Sequence, residues 1–281
     1  MVRVRYDFSS RRNRHIENIK KQKPKIPDLI DKLIKISDVI LEVIDARFIQ
    51  DTRNIEIENM IKKLGKRIIY VINKSDLIAL KQLKEKLEKI ELKPYVLVSC
   101  KYKKGVNELR TRIKIEISKI PKEHERFHVA VIGYPNTGKS SLINLLTGRG
   151  YAKVASEAGF TKGIQKIRLF SDVLLLDSPG IIPKRENLKE EDVIAKHARI
   201  GVRTYDKIKE PDLIVLKLTK QYPGIIEKFY GFNLTEIADV NDFIEKLGRK
   251  KNFLKKGNQV DEDKTSRLVL RDIQEGRIKL E

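Results

Sequence analysis

The stretch HVAVIGYPNTGKSSLINLLTG, residues 128–148, constrains this chain more than any other. An apolar run leads into a loop bracketed by Gly133 and Gly138, and apolar residues at helical spacing follow it. Glycines at those points let the backbone curl until consecutive N–H groups face one anion, and the positive end of the following helix points at the same place. The spacing fits the phosphate-loop pattern, with Lys139 reaching the β- and γ-phosphates and the Ser140 hydroxyl available to Mg²⁺. Asn136, Thr137, Gly138 and Ser141 complete this set of candidate nucleotide contacts.

The same alternation extends over residues 26–204. VILEVIDA, RIIYVINK, YVLVSC, HVAVIG, IQKIRLF and VLLLDSPG read as strands, and helical stretches separate most of them. Strands apolar on both faces, joined by helices, predict an α/β fold with a mainly parallel sheet and helices on both faces. Ligands of such sheets bind at the carboxyl ends of the strands, where each of the chain's motifs falls. Residues 1–25 read as a basic arm, and PKEHERF, about 121–127, as a charged linker. From 205 to 281 the pattern turns to helices with short loops, predicting a small all-α C-terminal domain.

In LLLDSPG, Asp177 stands at a strand tip, placed to hold Mg²⁺ through water, and the Gly180 N–H is placed to sense a γ-phosphate. Thr161, in AGFTKG, is the candidate switch threonine for Mg²⁺ and the γ-phosphate; its plain alternative is an ordinary loop threonine. Lys139, Thr161 and Gly180 thus form the candidate catalytic set, and Ser140, Thr161 and Asp177 the candidate metal set.

A second motif, NKSD, spans residues 73–76 after the apolar strand RIIYVI. Asn73 suits the purine N7 side and Lys74 the face of the ring, with Ser75 between them and Asp76. The Asp76 carboxylate accepts from guanine N1–H and N2–H₂, a donor pair that adenine lacks. One helix later, Ser99, Cys100 and Lys101 end a strand where a backbone N–H reaches guanine O6. Cys100 reads as a small buried side chain, since no His is near it in sequence.

The order is unusual, because the guanine-reading loop precedes the phosphate loop. A sheet needs only that its strand tips converge, so new termini at a loop tip and a linker between the old ends are tolerated. The net charge of +21 favours polyanions, nucleic acid first, over the plain alternative of a Lys/Glu-rich thermophilic surface. A single cysteine and the absence of an apolar run of about 18 residues predict a soluble, cytoplasmic protein with no membrane partner.

This order, carried by VIDARFIQDTRN, VINKSDL, SCKYKKGV, GYPNTGKSSLIN, LLDSPGI and the tail GRKKNFLKKGNQVDEDKTSRLVLRDIQEGRI, resembles the circularly permuted ribosome-assembly GTPases of the YlqF/RbgA type. The resemblance implies a P-loop GTPase fold, binding of GTP and GDP, hydrolysis of GTP, and a role with the ribosomal large subunit, its rRNA and its proteins; DNA is not expected. Arg11, Arg12, Arg14, Arg249, Lys250, Lys251, Lys255 and Lys256 are the candidate RNA contacts. The family's N-terminal catalytic His would fall near Gln22, so that role is not carried over to His15.

Many GTPases place a water-orienting Gln just after D-x-x-G, whereas this chain has Ile181 and Ile182 there, which predicts slow intrinsic hydrolysis. In related GTPases an Asn at the position of Asn136 accompanies a K⁺ ion bridging the phosphates; an ordinary polar loop residue is the alternative. Loss of the γ-phosphate should loosen the loop at Gly180 and reposition the tail that follows it. Two further readings stay open: a GTP-dependent RNA-binding scaffold with negligible turnover, and another P-loop NTPase in which NKSD is accidental.

Overall fold

The computed structural model describes residues 26–121, 125–148, 165–178, 180–183, 186 and 191–280. Its sheet is built from β1 (Val39–Asp45), β2 (Arg67–Asn73), β3 (Tyr95–Leu97), β4 (Phe127–Gly133), β5 (Gln165–Phe170) and β6 (Val173–Asp177), in the order β3-β2-β1-β4-β6-β5. All neighbours are parallel except β5 and β6. Only Ser171 and Asp172 join those two strands, a connection far too short for a parallel crossover.

The central strand, β1, shows why both faces are covered. All seven of its residues are buried. Val39, Leu41 and Val43 face a core that includes Leu109, Ile113 and Ile117 of α5 (Val106–Ser118) and Leu142, Ile143 and Leu146 of α6 (Lys139–Thr147). Ile40 and Ile44 face the opposite side, since side chains alternate along a strand. There they meet α1 (Ile26–Ile36), α3 (Ile55–Lys63) and α4 (Leu80–Ile90), preceded by the single turn α2 (Ile49–Thr52).

Parallel pairing aligns the strand ends. Asp45 lies beside Asn73, and Val43 lies beside Gly133, so the two motif loops emerge on either side of the end of β1. β3 stops at Leu97, earlier than the strand predicted through Cys100. Ser99 and Lys104 instead exchange backbone hydrogen bonds of 3.1 Å, closing a small loop. A Cβ on Gly105 would strike the Leu97 carbonyl, so α5 must start from a glycine there. Phe127, the last residue of the predicted linker, is already in β4 and pairs with Val173; residues 122–124 lie outside the described residues.

The C-terminal helices are α7 (Glu191–Arg199), α8 (Pro211–Gln221), α9 (Ile225–Phe229), α10 (Val240–Lys250) and α11 (Glu262–Gln274). They enclose their own core, with Val215, Leu218, Phe243, Leu247, Val269 and Leu270 fully buried. That core takes in Ala198 of α7, upstream of residue 205, where the sequence pattern changes. Pro223 and Gly224 separate α8 from α9 within PDLIVLKLTKQYPGIIEKFYGF, with Gly224 at φ 77°. Asp239 and Asp261 cap α10 and α11 by accepting the Asp242 and Lys264 N–H groups. Among the described residues, no helix is long and apolar enough to cross a membrane.

Candidate nucleotide-binding site

On one side of the strand ends lies the NKSD loop. Lys74 adopts a left-handed conformation, φ 60°, which turns the chain from β2 into the tight turn Ser75–Leu77 that carries Asp76. The Ser75 N–H and Oγ both donate to the Val98 carbonyl, at 3.2 and 3.0 Å. Ser99 Oγ donates to Asp76 Oδ1 at 2.6 Å, which orients the carboxylate before any base arrives. Asn73 Nδ2 donates to the Thr137 carbonyl at 2.8 Å, so the base loop is bonded to the phosphate loop. An amide nitrogen carries two protons, so this bond leaves one for a purine N7. The Cys100 N–H donates to Asn73 Oδ1 at 3.3 Å. Burial pushes the Cys100 thiol up to about 11, with the Asp76 charge adding to it, so it is a packed thiol and not a nucleophile.

On the other side, the phosphate loop runs from Gly133 to the start of α6. Gly133 sits at φ 148°, and a Cβ there would lie 2.5 Å from the Val43 carbonyl. Gly138, at φ 99°, would collide with Asn73 Nδ2 if it carried a Cβ. These two glycines therefore permit the close approach of β1 and of the base loop. Lys139 is buried, and its Nζ donates to the carbonyls of Gly133, at 3.1 Å, and Tyr134, at 2.7 Å. Burial pushes its amine down to about 8, against a partial upward pull from Asp177. Asp177 is moved in the opposite sense, raised by burial and held back by Lys139. Thr137 Oγ1 donates to the Tyr134 carbonyl at 2.9 Å, while Ser140 and Ser141 stand exposed at the first turn of α6.

The loop after β6 lies against this cradle. A Cβ on Gly180 would be 3.0 Å from Pro135 Cα, and the Ile181 N–H donates to the Gly133 carbonyl at 3.1 Å. Ile181 is only 5% exposed and belongs to the buried cluster that holds Ile30, Leu33 and Ile34 of α1 and no residue of α6. Thr161 lies outside the described residues, as do Arg11, Arg12 and Arg14.

No cluster of three or more His, Cys, Asp or Glu able to hold a metal occurs among the described residues. Mg²⁺ asks for less, since it takes one or two protein oxygens, several waters and the phosphates themselves. Asp177, a half-buried carboxylate whose ionised form burial disfavours, and the exposed Ser140 hydroxyl fit such a donor set. The Asn136 amide donates to the Gly201 carbonyl, just beyond α7, so the candidate K⁺ residue is bonded to the helical part.

Several contacts carry residues to which the sequence assigns no role. Lys74 Nζ pairs with Asp45 Oδ2 at 2.7 Å. Tyr134, the residue after Gly133, donates its hydroxyl to Glu186, which also pairs with Lys196 at 2.8 Å and lies 3.3 Å from His197 Nε2. A carboxylate at the tip of a buried, largely apolar strand, as Asp45 is in VILEVID, is the local signal for the first contact. Among the candidate RNA contacts, Lys250 Nζ folds back to the Tyr230 carbonyl at 2.7 Å, and Arg249 pairs with Glu245 at 2.6 Å. Lys255 is 3.5 Å from Asp261, and Lys251, Lys255 and Lys256 are exposed.

Residues 128–256 match the family described as 50S ribosome-binding GTPase, a match that starts at the strand leading into the phosphate loop. The chain is 35% identical over 261 residues to an uncharacterized GTP-binding protein of Methanocaldococcus jannaschii, covering 92% of this chain and 67% of that protein. It is 32% identical over 276 residues to nucleolar GTP-binding protein 2 of Saccharomyces cerevisiae, covering 92% of this chain and 53% of that one. The chain thus spans about half the length of the nucleolar relatives it matches. GDP-bound YlqF of T. maritima superposes with a TM-score of 0.61 at 26% identity, over 89% of this chain and 95% of that one. With its guanine-reading loop ahead of its phosphate loop, the chain belongs to the circularly permuted GTPases of the YlqF type.

Proposed function

We propose that the chain is a Mg²⁺-dependent GTPase switch that binds the ribosomal large subunit or its precursor and assists its assembly. The observation that carries the nucleotide part is the Asn73–Thr137 hydrogen bond, which joins a loop suited to guanine to a loop suited to phosphates. The ribosomal part is supported by the description of the matching family, by the nucleolar relatives and by the net charge of +21. Lys139 and Gly180 face the β- and γ-phosphates, Ser140, Asp177 and Thr161 hold the Mg²⁺, and Asn73, Lys74, Asp76 and the loop Ser99–Lys101 hold the guanine. The exposed Lys251, Lys255 and Lys256 contribute backbone contacts to rRNA, with Arg11, Arg12 and Arg14 of the N-terminal arm, so affinity for the particle falls steeply with salt.

Co-sedimentation with ribosomal large-subunit particles in GTP, GDP and a non-hydrolysable analogue tests this. Retention that depends on the nucleotide is the expected result, and equal retention in all three removes the switch. One observation favours a second reading, a GTP-gated scaffold with negligible turnover. Ile181 is buried against α1, so the position after D-x-x-G offers no group to orient a water. A single-turnover hydrolysis rate on the particle separates the two, and its ratio in K⁺ and Na⁺ decides the role of Asn136.

A further inference from the structure

Where the base-reading loop meets the tail, one carboxylate holds two cations that face in different directions. Asp45 ends β1 and lies beside Asn73 in the parallel register. It is 1% exposed, so its charge needs partners within the protein. Lys74 Nζ supplies one at 2.7 Å. Arg47 supplies the other with two prongs, Nε to Oδ1 at 3.0 Å and Nη2 to Oδ2 at 2.8 Å. Burial alone would raise the Asp45 carboxyl, but the Arg47 hydrogen bonds and the charges of Lys74 and Arg47 hold it below the usual carboxylate range.

The third nitrogen of the same guanidinium points the other way. Arg47 Nη1 donates to the carbonyls of Ile273 and Gln274, both at 3.1 Å. These belong to the last turn of α11, where helix carbonyls lack intrahelical partners and a cation meets the negative end of the dipole. Packing repeats the link. Gly276, at φ 76°, comes so close that a Cβ on it would lie 2.9 Å from Leu77 Cδ1 and 3.3 Å from Arg47 Nη1. Leu77 is the residue after Asp76, and it lines one cleft with Gly276 and Leu280.

We propose that Asp45 and Arg47 couple the guanine-reading loop to the last turn of α11, with Asp45 the positioning residue for Lys74. This rests on the guanine-nucleotide reading of the site. Lys74 is suited to lie on the purine, so its anchor sets the ring-facing side of the base pocket, and the same anchor ties down the end of the tail. The coupling therefore responds to the base, which GDP and GTP share. The tail end senses whether the site is loaded, while the phosphate side senses which nucleotide loads it. Coupling of this kind is reciprocal, so the nucleotide orders the tail by the factor with which the tail tightens the nucleotide.

The test is amide hydrogen exchange over residues 272–280 combined with GDP affinity, measured on the full chain. In the unmodified protein GDP should slow exchange there, whereas Mg²⁺-pyrophosphate, which fills only the phosphate loop, should not. Arg47→Lys keeps a cation for Asp45 but lacks the fork that spans to α11; it should abolish the GDP-induced protection and weaken GDP about 5–10-fold, within the ordinary range of coupling. Gly276→Ala, which wedges the tail from Leu77 without touching the nucleotide, should act in the same direction. Protection by GDP that persists in Arg47→Lys, with unchanged affinity, overturns the inference alone, as does equal protection by pyrophosphate. Failure of the unmodified chain to bind GDP overturns the guanine reading and the inference together.

Discussion

The two sides of the candidate site are prepared differently. On the base side the polar groups are bonded to partners that keep them aimed: Asp76 to Ser99, Asn73 to Thr137, Lys74 to Asp45. On the phosphate side Lys139 is turned onto the carbonyls of its own loop, and burial lowers its affinity for a proton. With the ligand contacts proposed above, guanine would meet a preorganised surface, and phosphate would have to displace internal bonds to gain its cation. Preorganisation favours selectivity, because little ordering remains when the ligand arrives. A phosphate side that rearranges on loading is suited to report which phosphates are present.

Three measurements would break or sharpen that contrast. The largest effect should come from Asp76→Asn, which removes an acceptor for two guanine donors. Hydrogen bonds to a charged group are worth about 1.5–3 kcal/mol each, so GDP affinity should drop about 10²–10⁴-fold. Titration with Mg²⁺-pyrophosphate should be unchanged, and parallel losses for both ligands would mean that the two sides are not separable.

Gly138→Ala attacks the seam between the sides. The added Cβ collides with Asn73 Nδ2, and φ 99° is strained for any residue with a Cβ. Strain of this kind costs about 1–3 kcal/mol, so the melting temperature should fall and GDP should weaken along with it. A stable variant with unaltered GDP binding would show that the Asn73–Thr137 bond is dispensable.

The smallest effect should be a pH dependence confined to the phosphate side. In the free protein the Lys139 amine titrates at about 8. A bound phosphate needs the ammonium form, so above that pH binding must take up a proton, and affinity should fall by up to about tenfold per pH unit. Stability of the ligand-free protein should move the other way. The folded value lies below the unfolded lysine value, so the unfolded chain holds more protons between the two, and stability rises with pH across that window. Calorimetry of GDP binding in buffers of different ionisation enthalpy would read the proton uptake directly. A pH-independent affinity across this range would remove Lys139 from the phosphate contacts.

Much of this site is legible in the sequence. NKSD and GYPNTGKS each follow an apolar strand, and their chemistry depends on residue types at fixed local spacing. The antiparallel direction of β5 follows from a local signal too, because only Ser171 and Asp172 separate it from β6, and so short a connection cannot make a parallel crossover. Ile181 reads as an inert side chain at the position of the water-orienting group, and its burial on α1 depends on a segment about 150 residues away in sequence.

Asp45 and Arg47 mark the division most clearly. The sequence by itself determined the strand-loop-helix units, the guanine and phosphate loops and their inverted order, because those rest on neighbouring residues and on backbone propensity. Only the tertiary structure decided that one carboxylate joins Lys74 to Arg47, and that Arg47 reaches the carbonyls of Ile273 and Gln274, 226 and 227 residues away. The reason is physical. A buried charge takes whatever partners the packed chain brings within reach, and no local pattern records which ones those are.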